Sequence, residues 1–111
     1  MKIRNVNKQT EVAADFKLAE SFLDRNLGLL RKSNPRSLVF KTRFGIHTFG
    51  LKNLIDVIVL NHRFQVIKTK KYLAPNRLFF WNPRYAIIIE LPPGMIENSK
   101  TEVGDTLLIK S

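Results

Sequence analysis

A histidine and two carboxylates stand inside runs that otherwise have the character of buried strand. His47 lies between Ile46 and Thr48, Asp56 falls within Ile55-Asp56-Val57-Ile58-Val59-Leu60, and Glu90 follows Tyr85-Ala86-Ile87-Ile88-Ile89. Side chains alternate across a strand, so Asp56 shares a face with Ile58 and Leu60, and Glu90 shares one with Ala86 and Ile88. An ionised group stranded in such surroundings is costly, and each carboxylate therefore needs hydrogen bonds, a cation or a proton. If the three strands are neighbours, the three residues converge, and three chemistries are open. One is a structural polar knot, with Asp56 accepting backbone N–H bonds from a turn and Glu90 holding an arginine. Another is a pocket whose polar floor orients a small polar ligand. The last is a hydrolytic or metal site with histidine and carboxylate ligands, for which no pair at i, i+4 spacing and no Cys-x-x-Cys is present. The expected site is the pocket, with His47, Asp56 and Glu90 at its centre and Arg31 and Trp81 at its periphery. No residue is assigned a catalytic or metal-binding role, and no cofactor is expected.

A second candidate is the run Arg77-Leu78-Phe79-Phe80-Trp81-Asn82-Pro83-Arg84. If Phe80 points inward, Phe79 and Trp81 face outward between Arg77 and Arg84, an arrangement able to stack a base, a sugar ring or a partner's surface. The alternative is that a helix or loop covers this face. Lys68, Lys70 and Lys71 on the preceding strand complete the candidate nucleic-acid contact. The charge balance is consistent with it: 19 Lys and Arg against nine Asp and Glu give a formal net charge of +10. Thirteen basic residues lie between Arg25 and Arg84, where Asp56 is the sole acid. Such an excess attracts polyanions, but it also describes solvated strand faces protected against aggregation. No ribonucleoprotein-type, zinc-finger or helix-turn-helix signature accompanies it.

The elements that must position these residues are mainly strands. Lys2 to Val6 and Thr10 to Ala14 form an expected hairpin around Asn7-Lys8-Gln9. Asp15 then occupies an N-cap position, and Leu18, Ala19, Phe22, Leu23 and Leu27 recur at helical spacing up to Gly28, which predicts one amino-proximal helix. From Ser37 the pattern changes to β-rich runs: Ser37 to Lys41, Ile46 to Leu51, Ile55 to Leu60, Phe64 to Tyr72, Leu78 to Trp81, Tyr85 to Leu91 and Thr106 to Lys110. Turn residues separate them, among them Asn61-His62-Arg63, where His62 is a solvated turn residue, and Pro92-Pro93-Gly94. Repeated βαβ units are not available. The expected architecture is mainly β, an antiparallel sandwich or partly closed, jelly-roll-like barrel.

At 111 residues, 44% of them hydrophobic, one domain over 1–111 with a single core is expected. Without cysteine there is no disulfide, thiolate metal site or cysteine nucleophile. Gly-x-Ser-x-Gly, Walker and Gly-x-Gly-x-x-Gly motifs are absent. The amino end has no apolar signal-type segment and no apolar run approaches the roughly 20 residues of a membrane-spanning helix, so a soluble, cytoplasmic protein is expected.

Several islands occur in an order that resembles the family catalogued as "domain of unknown function 192". They are the segment entering Gly28-Leu29-Leu30-Arg31, then Ile46-His47-Thr48-Phe49-Gly50-Leu51, Ile55-Asp56-Val57 through Leu60, Ile89-Glu90-Leu91-Pro92 with Gly94, and Gly104-Asp105. The Ile-His-Thr-Phe-Gly core followed by Ile-Asp is the specific part. Departures are Leu51 in place of methionine, Asn53-Leu54 in place of an aromatic-proline pair, and no cysteine before Ile46. The resemblance implies a small, mainly β domain of sandwich or jelly-roll type and brings no activity with it. The functional expectation is a non-catalytic binding or accessory domain for a small polar ligand or a protein partner. Nucleic-acid binding through the basic middle is the alternative, followed by a small hydrolase or metal-dependent enzyme.

Overall fold

The computed structural model describes residues 2–19, 37–43 and 45–110. Its centre is a five-stranded sheet in the order β3 (Lys17–Ala19), β4 (Leu38–Lys41), β9 (Ile87–Leu91), β6 (Ile55–Leu60) and β7 (Val66–Leu73). One face packs against a three-stranded sheet in the order β10 (Leu107–Lys110), β1 (Lys2–Asn5), β2 (Thr10–Ala13), and against the short helix α1 (Met95–Ser99). The other face packs against a two-stranded sheet of β5 (Ile46–His47) and β8 (Leu78–Phe79). The sheets are not closed into a barrel, and the arrangement is that of a β sandwich.

This layering explains why β6 and β9 are apolar at successive positions instead of alternating. Ile58, Leu60, Ile89 and Leu91 join Ile3, Val12 and Leu107 in one core, while Val57, Val59 and Ile88 join Ile46, Phe79 and Trp81 in the other. A strand covered on both sides has no solvent face to make polar. Burying each such Val or Ile stabilises the fold by about 1.5–3 kcal/mol before entropy is counted. The edge strand β7 carries Lys68, Lys70 and Lys71, all exposed, which hinders pairing with a further strand.

The ladders are antiparallel with one exception among the described residues, the parallel pair β3–β4, in which Lys17, Leu18 and Ala19 lie opposite Leu38, Val39 and Phe40. That pair corrects the start of the expected helix. Asp15 caps no helical turn; its Oδ1 accepts the N–H of the adjacent Phe16 at 2.9 Å. Helical spacing had to compete with an open edge on β4, where the backbone gains ladder bonds that the first turn of a helix lacks. The rest of the expected helix, through Leu27 and Gly28, lies outside the described residues. The helix α1 was not foreseen. It begins after Gly94 in the left-handed conformation (φ 92°) and ends at Lys100 (φ 58°). Among the described residues no helix is long and apolar enough to cross a membrane.

Candidate functional site

Asp56 is fully buried and faces the core beneath the three-stranded sheet, its position opposite Leu91 in β9. Between Ile55 and Val57 the register with β7 shifts, and the bulge leaves Lys71 and Tyr72 facing a single residue. Tyr72 takes a left-handed conformation there (φ 55°), and its N–H turns to Asp56 Oδ1 at 3.0 Å. The other oxygen accepts the N–H groups of Gly94 at 3.1 Å and Ile96 at 2.9 Å, at the start of α1. The carboxylate thus ties a bulge to a helix end, satisfying three donors that the irregular backbone would otherwise leave open.

The sheet separates Asp56 from Glu90. Glu90 lies in register between Leu38 and Val57, on the opposite face of the central sheet, and is 2% exposed. His47 occupies a third place. Ile46 and Phe79 are paired and buried between the layers, so their neighbours His47 and Leu78, also paired, project from the outer side of the β5–β8 sheet. The three residues expected to converge are therefore not brought together. Neighbouring strands were expected, but a one-residue difference in parity puts adjacent carboxylates on opposite faces. Arg31 lies outside the described residues.

The outer side of β5–β8 has its own chemistry. The His47 ring stacks on that of Phe49 with centroids 5.1 Å apart, and its Nδ1 is buried without a hydrogen-bond partner among the described residues. Continuing the register places Gly45 opposite Phe80. A Cβ on Gly45 would meet Phe80 Cδ1 at 2.6 Å and the Phe79 carbonyl oxygen at 2.8 Å, so glycine is what lets the phenyl ring approach the strand this closely. Phe49, Leu78 and Phe80 are 53%, 58% and 58% exposed. Thr48 anchors the rim: its hydroxyl donates to the Ala74 carbonyl at 2.7 Å and accepts the Arg77 N–H at 2.8 Å.

This parity reverses the expected orientation of the aromatic run. Phe79 and Trp81 are buried, 7% and 9% exposed, and Phe80 faces out. Three consecutive aromatics fit either parity, and the indole settles it, since its Nε1 finds an acceptor inside, the Tyr85 carbonyl at 2.8 Å. Lys68 reaches across the edge, its Nζ donating to the Phe80 carbonyl at 2.8 Å and standing 4.9 Å from the Phe79 ring centroid. Arg77 and Arg84 are exposed beside the run. Arg43 donates to the carbonyls of Pro83 at 2.9 Å and Arg84 at 3.1 Å. Among the described residues no group of three or more His, Asp and Glu is placed to hold a metal.

A second polar cluster, unforeseen because its members are 100 residues apart, joins β1 to the turn before β10. Asp105 Oδ2 accepts from Asn5 Nδ2 and Lys8 Nζ, both at 2.9 Å, and from the Glu102 N–H at 3.0 Å. Burial pushes the Asp105 carboxyl up, but the hydrogen bonds from Asn5 and Lys8 outweigh it and hold the group below its ordinary value. A depressed folded-state pKa contributes stability that is complete above the unfolded-state value and is lost as pH falls through the folded-state value. Asp105→Asn is thus expected to flatten the acid limb of the stability–pH curve below about pH 4, measured by urea unfolding at stepped pH. An unchanged acid limb would exclude this cluster as its source.

Over 111 aligned residues the chain is 36% identical to the UPF0127 protein of Pyrococcus horikoshii, an alignment spanning 95% of this chain and 96% of that protein. The chain belongs to the UPF0127 family. A second UPF0127 protein, from Pyrococcus furiosus, is 33% identical over 109 residues, covering 93% of each. No family model matches the chain. Two solved structures share the fold at a TM-score of 0.74. One is a protein of unknown function from Novosphingobium aromaticivorans, 13% identical over 85% of this chain and 74% of that one. The other is a "putative transcription regulator" from Sinorhizobium meliloti, 16% identical over 96% and 89%. The UPF0127 relatives carry no assigned activity, and the function of the chain is not established by them.

Proposed function

We propose that this UPF0127 chain is a binding or accessory module of one domain, without catalytic groups of its own, whose ligand face is the outer side of β5–β8. The observation that carries this reading is the surface around His47: an imidazole stacked on Phe49 and set among exposed Phe49, Leu78 and Phe80. A flat ring that stacks on the exposed side chains around the imidazole fits such a surface. The separation of His47, Asp56 and Glu90 supports a role without acid–base chemistry, because Asp56 is committed to three backbone donors. We also infer membership of the "domain of unknown function 192" family from the Ile46–Gly50 core, and a cytoplasmic location.

The test is an amide chemical-shift map of the labelled protein with a panel of small aromatic acids and nucleosides. Saturable shifts confined to residues 45–49 and 77–81, abolished by His47→Ala with the thermal midpoint preserved, are the expected result. If no member of the panel moves those amides, or if His47→Ala unfolds the protein instead, the reading fails.

A further inference from the structure

The geometry points to single-stranded nucleic acid as the occupant of the β5–β8 outer face, an inference that rests on the binding reading just given. Two exposed ring platforms lie on this face: Phe80, seated over Gly45, and Phe49, stacked with His47. Stacking on aromatic side chains is open to every base, because each has a π-face. Cations flank the ring-bearing run and line the adjoining edge strand. Arg77 adjoins Leu78, Arg84 and Arg43 share the Pro83–Arg84 turn, and Lys68 and Lys70 project from the edge strand β7 on the same side of the central sheet, opposite Val59 and Val57.

The exposed carboxylates of the described residues lie elsewhere. Among the described residues the exposed carboxylates are Glu11, Asp15, Glu97 and Glu102, on β2, the segment leaving it, α1 and the turn that follows. These belong to the opposite outer layer. Between residues 37 and 84 the sole acid is Asp56, which is buried beneath that opposite layer. A polyanion approaching the β5–β8 side meets cations and rings with no exposed carboxylate among the described residues to repel it. A duplex hides its base faces, and an acidic peptide brings charge without faces to stack, so an unpaired strand matches both features of the surface.

The experiment is fluorescence anisotropy of labelled eight-nucleotide thymidine and uridine oligomers, at 50 and 150 mM salt, with polyglutamate of equal charge as competitor. Expected are saturable binding that weakens with salt by about 0.7 log unit per log unit for each phosphate engaged, and losses of about fivefold or more for Phe80→Ala and for Phe49→Ala. Arg77→Ala should reduce the salt slope, and Leu108→Ala, on the opposite layer, should change nothing. Thermal midpoints for both phenylalanine variants establish folding, and Phe49, outside any strand, provides a reading if Phe80→Ala is damaged. Wild-type affinity in folded phenylalanine variants, or displacement by polyglutamate at equal charge, would reduce the surface to a polyanion attractor and overturn the inference. In that case small-molecule shifts at residues 45–49 and 77–81 would still uphold the binding reading, whereas their absence as well would remove both.

Discussion

Asp56→Ala is expected to lower the free energy of unfolding by about 3–5 kcal/mol, since an orphaned buried donor costs about 1–3 kcal/mol and this change orphans three. Ile96 is fully buried, whereas Gly94 is half-buried and Tyr72 exposed, so water near the latter two offsets some of the loss. Against the 5–15 kcal/mol typical of a domain, the effect is large. Asp56→Asn keeps the volume but presents an amide N–H₂ to at least one N–H donor, and about 2–3 kcal/mol of the loss should persist. Urea unfolding followed by circular dichroism measures both variants. A loss below about 1 kcal/mol for the alanine variant would mean that the bulge and the helix start are held by other means. Ligand binding on the β5–β8 face should be unaffected in whatever fraction stays folded, which separates this scaffold residue from a pocket residue.

Trp81→Ala should cost about 3–5 kcal/mol, the range for truncating a large buried aromatic. Its ring packs at 5.8 Å from that of Phe79, inside the core between the central and outer sheets. Trp81→Phe refills most of that volume and loses the bond to the Tyr85 carbonyl, so about 1–2 kcal/mol is expected. The two thermal midpoints, together with affinity for an oligonucleotide, distinguish a core tryptophan from a stacking one. A folded Trp81→Ala protein with weakened binding would reverse the assignment made here.

The mainly β, antiparallel sandwich was legible because its signals are local. Turn residues such as Asn61 and Pro92-Pro93-Gly94 bound the strands, and the unbroken apolar runs of β6 and β9 announce burial on both sides. What failed were choices that local pattern leaves degenerate. The residues from Asp15 to Ala19 satisfy helical spacing as well as a strand, and a partner edge 21 residues away decided between them. Phe79-Phe80-Trp81 permits two parities, and a hydrogen-bond acceptor at Tyr85 selected one. The anomalous placement of Asp56 was readable as a demand for partners. For Asp56, those partners turned out to be backbone donors of a bulge and a helix that no residue motif advertises. The His47 surface was visible as a residue out of place but not as a surface, because the flanking Phe49 and Phe80 acquire their exposure only from the fold.

The pairing of β1 with β10 has a consequence for how the molecule comes into being on the ribosome. The sheet that covers one face of the central strands has the order β10-β1-β2, and its middle strand is bonded on one side to residues 107–110. Until those residues emerge, β1 and β2 are a lone hairpin, which is marginal in water. Ile58, Leu60, Ile89 and Leu91 then lie uncovered on a nearly finished sheet. A nascent chain stalled before residue 107 should therefore be the species that chaperones retain, and release should coincide with the arrival of the last strand.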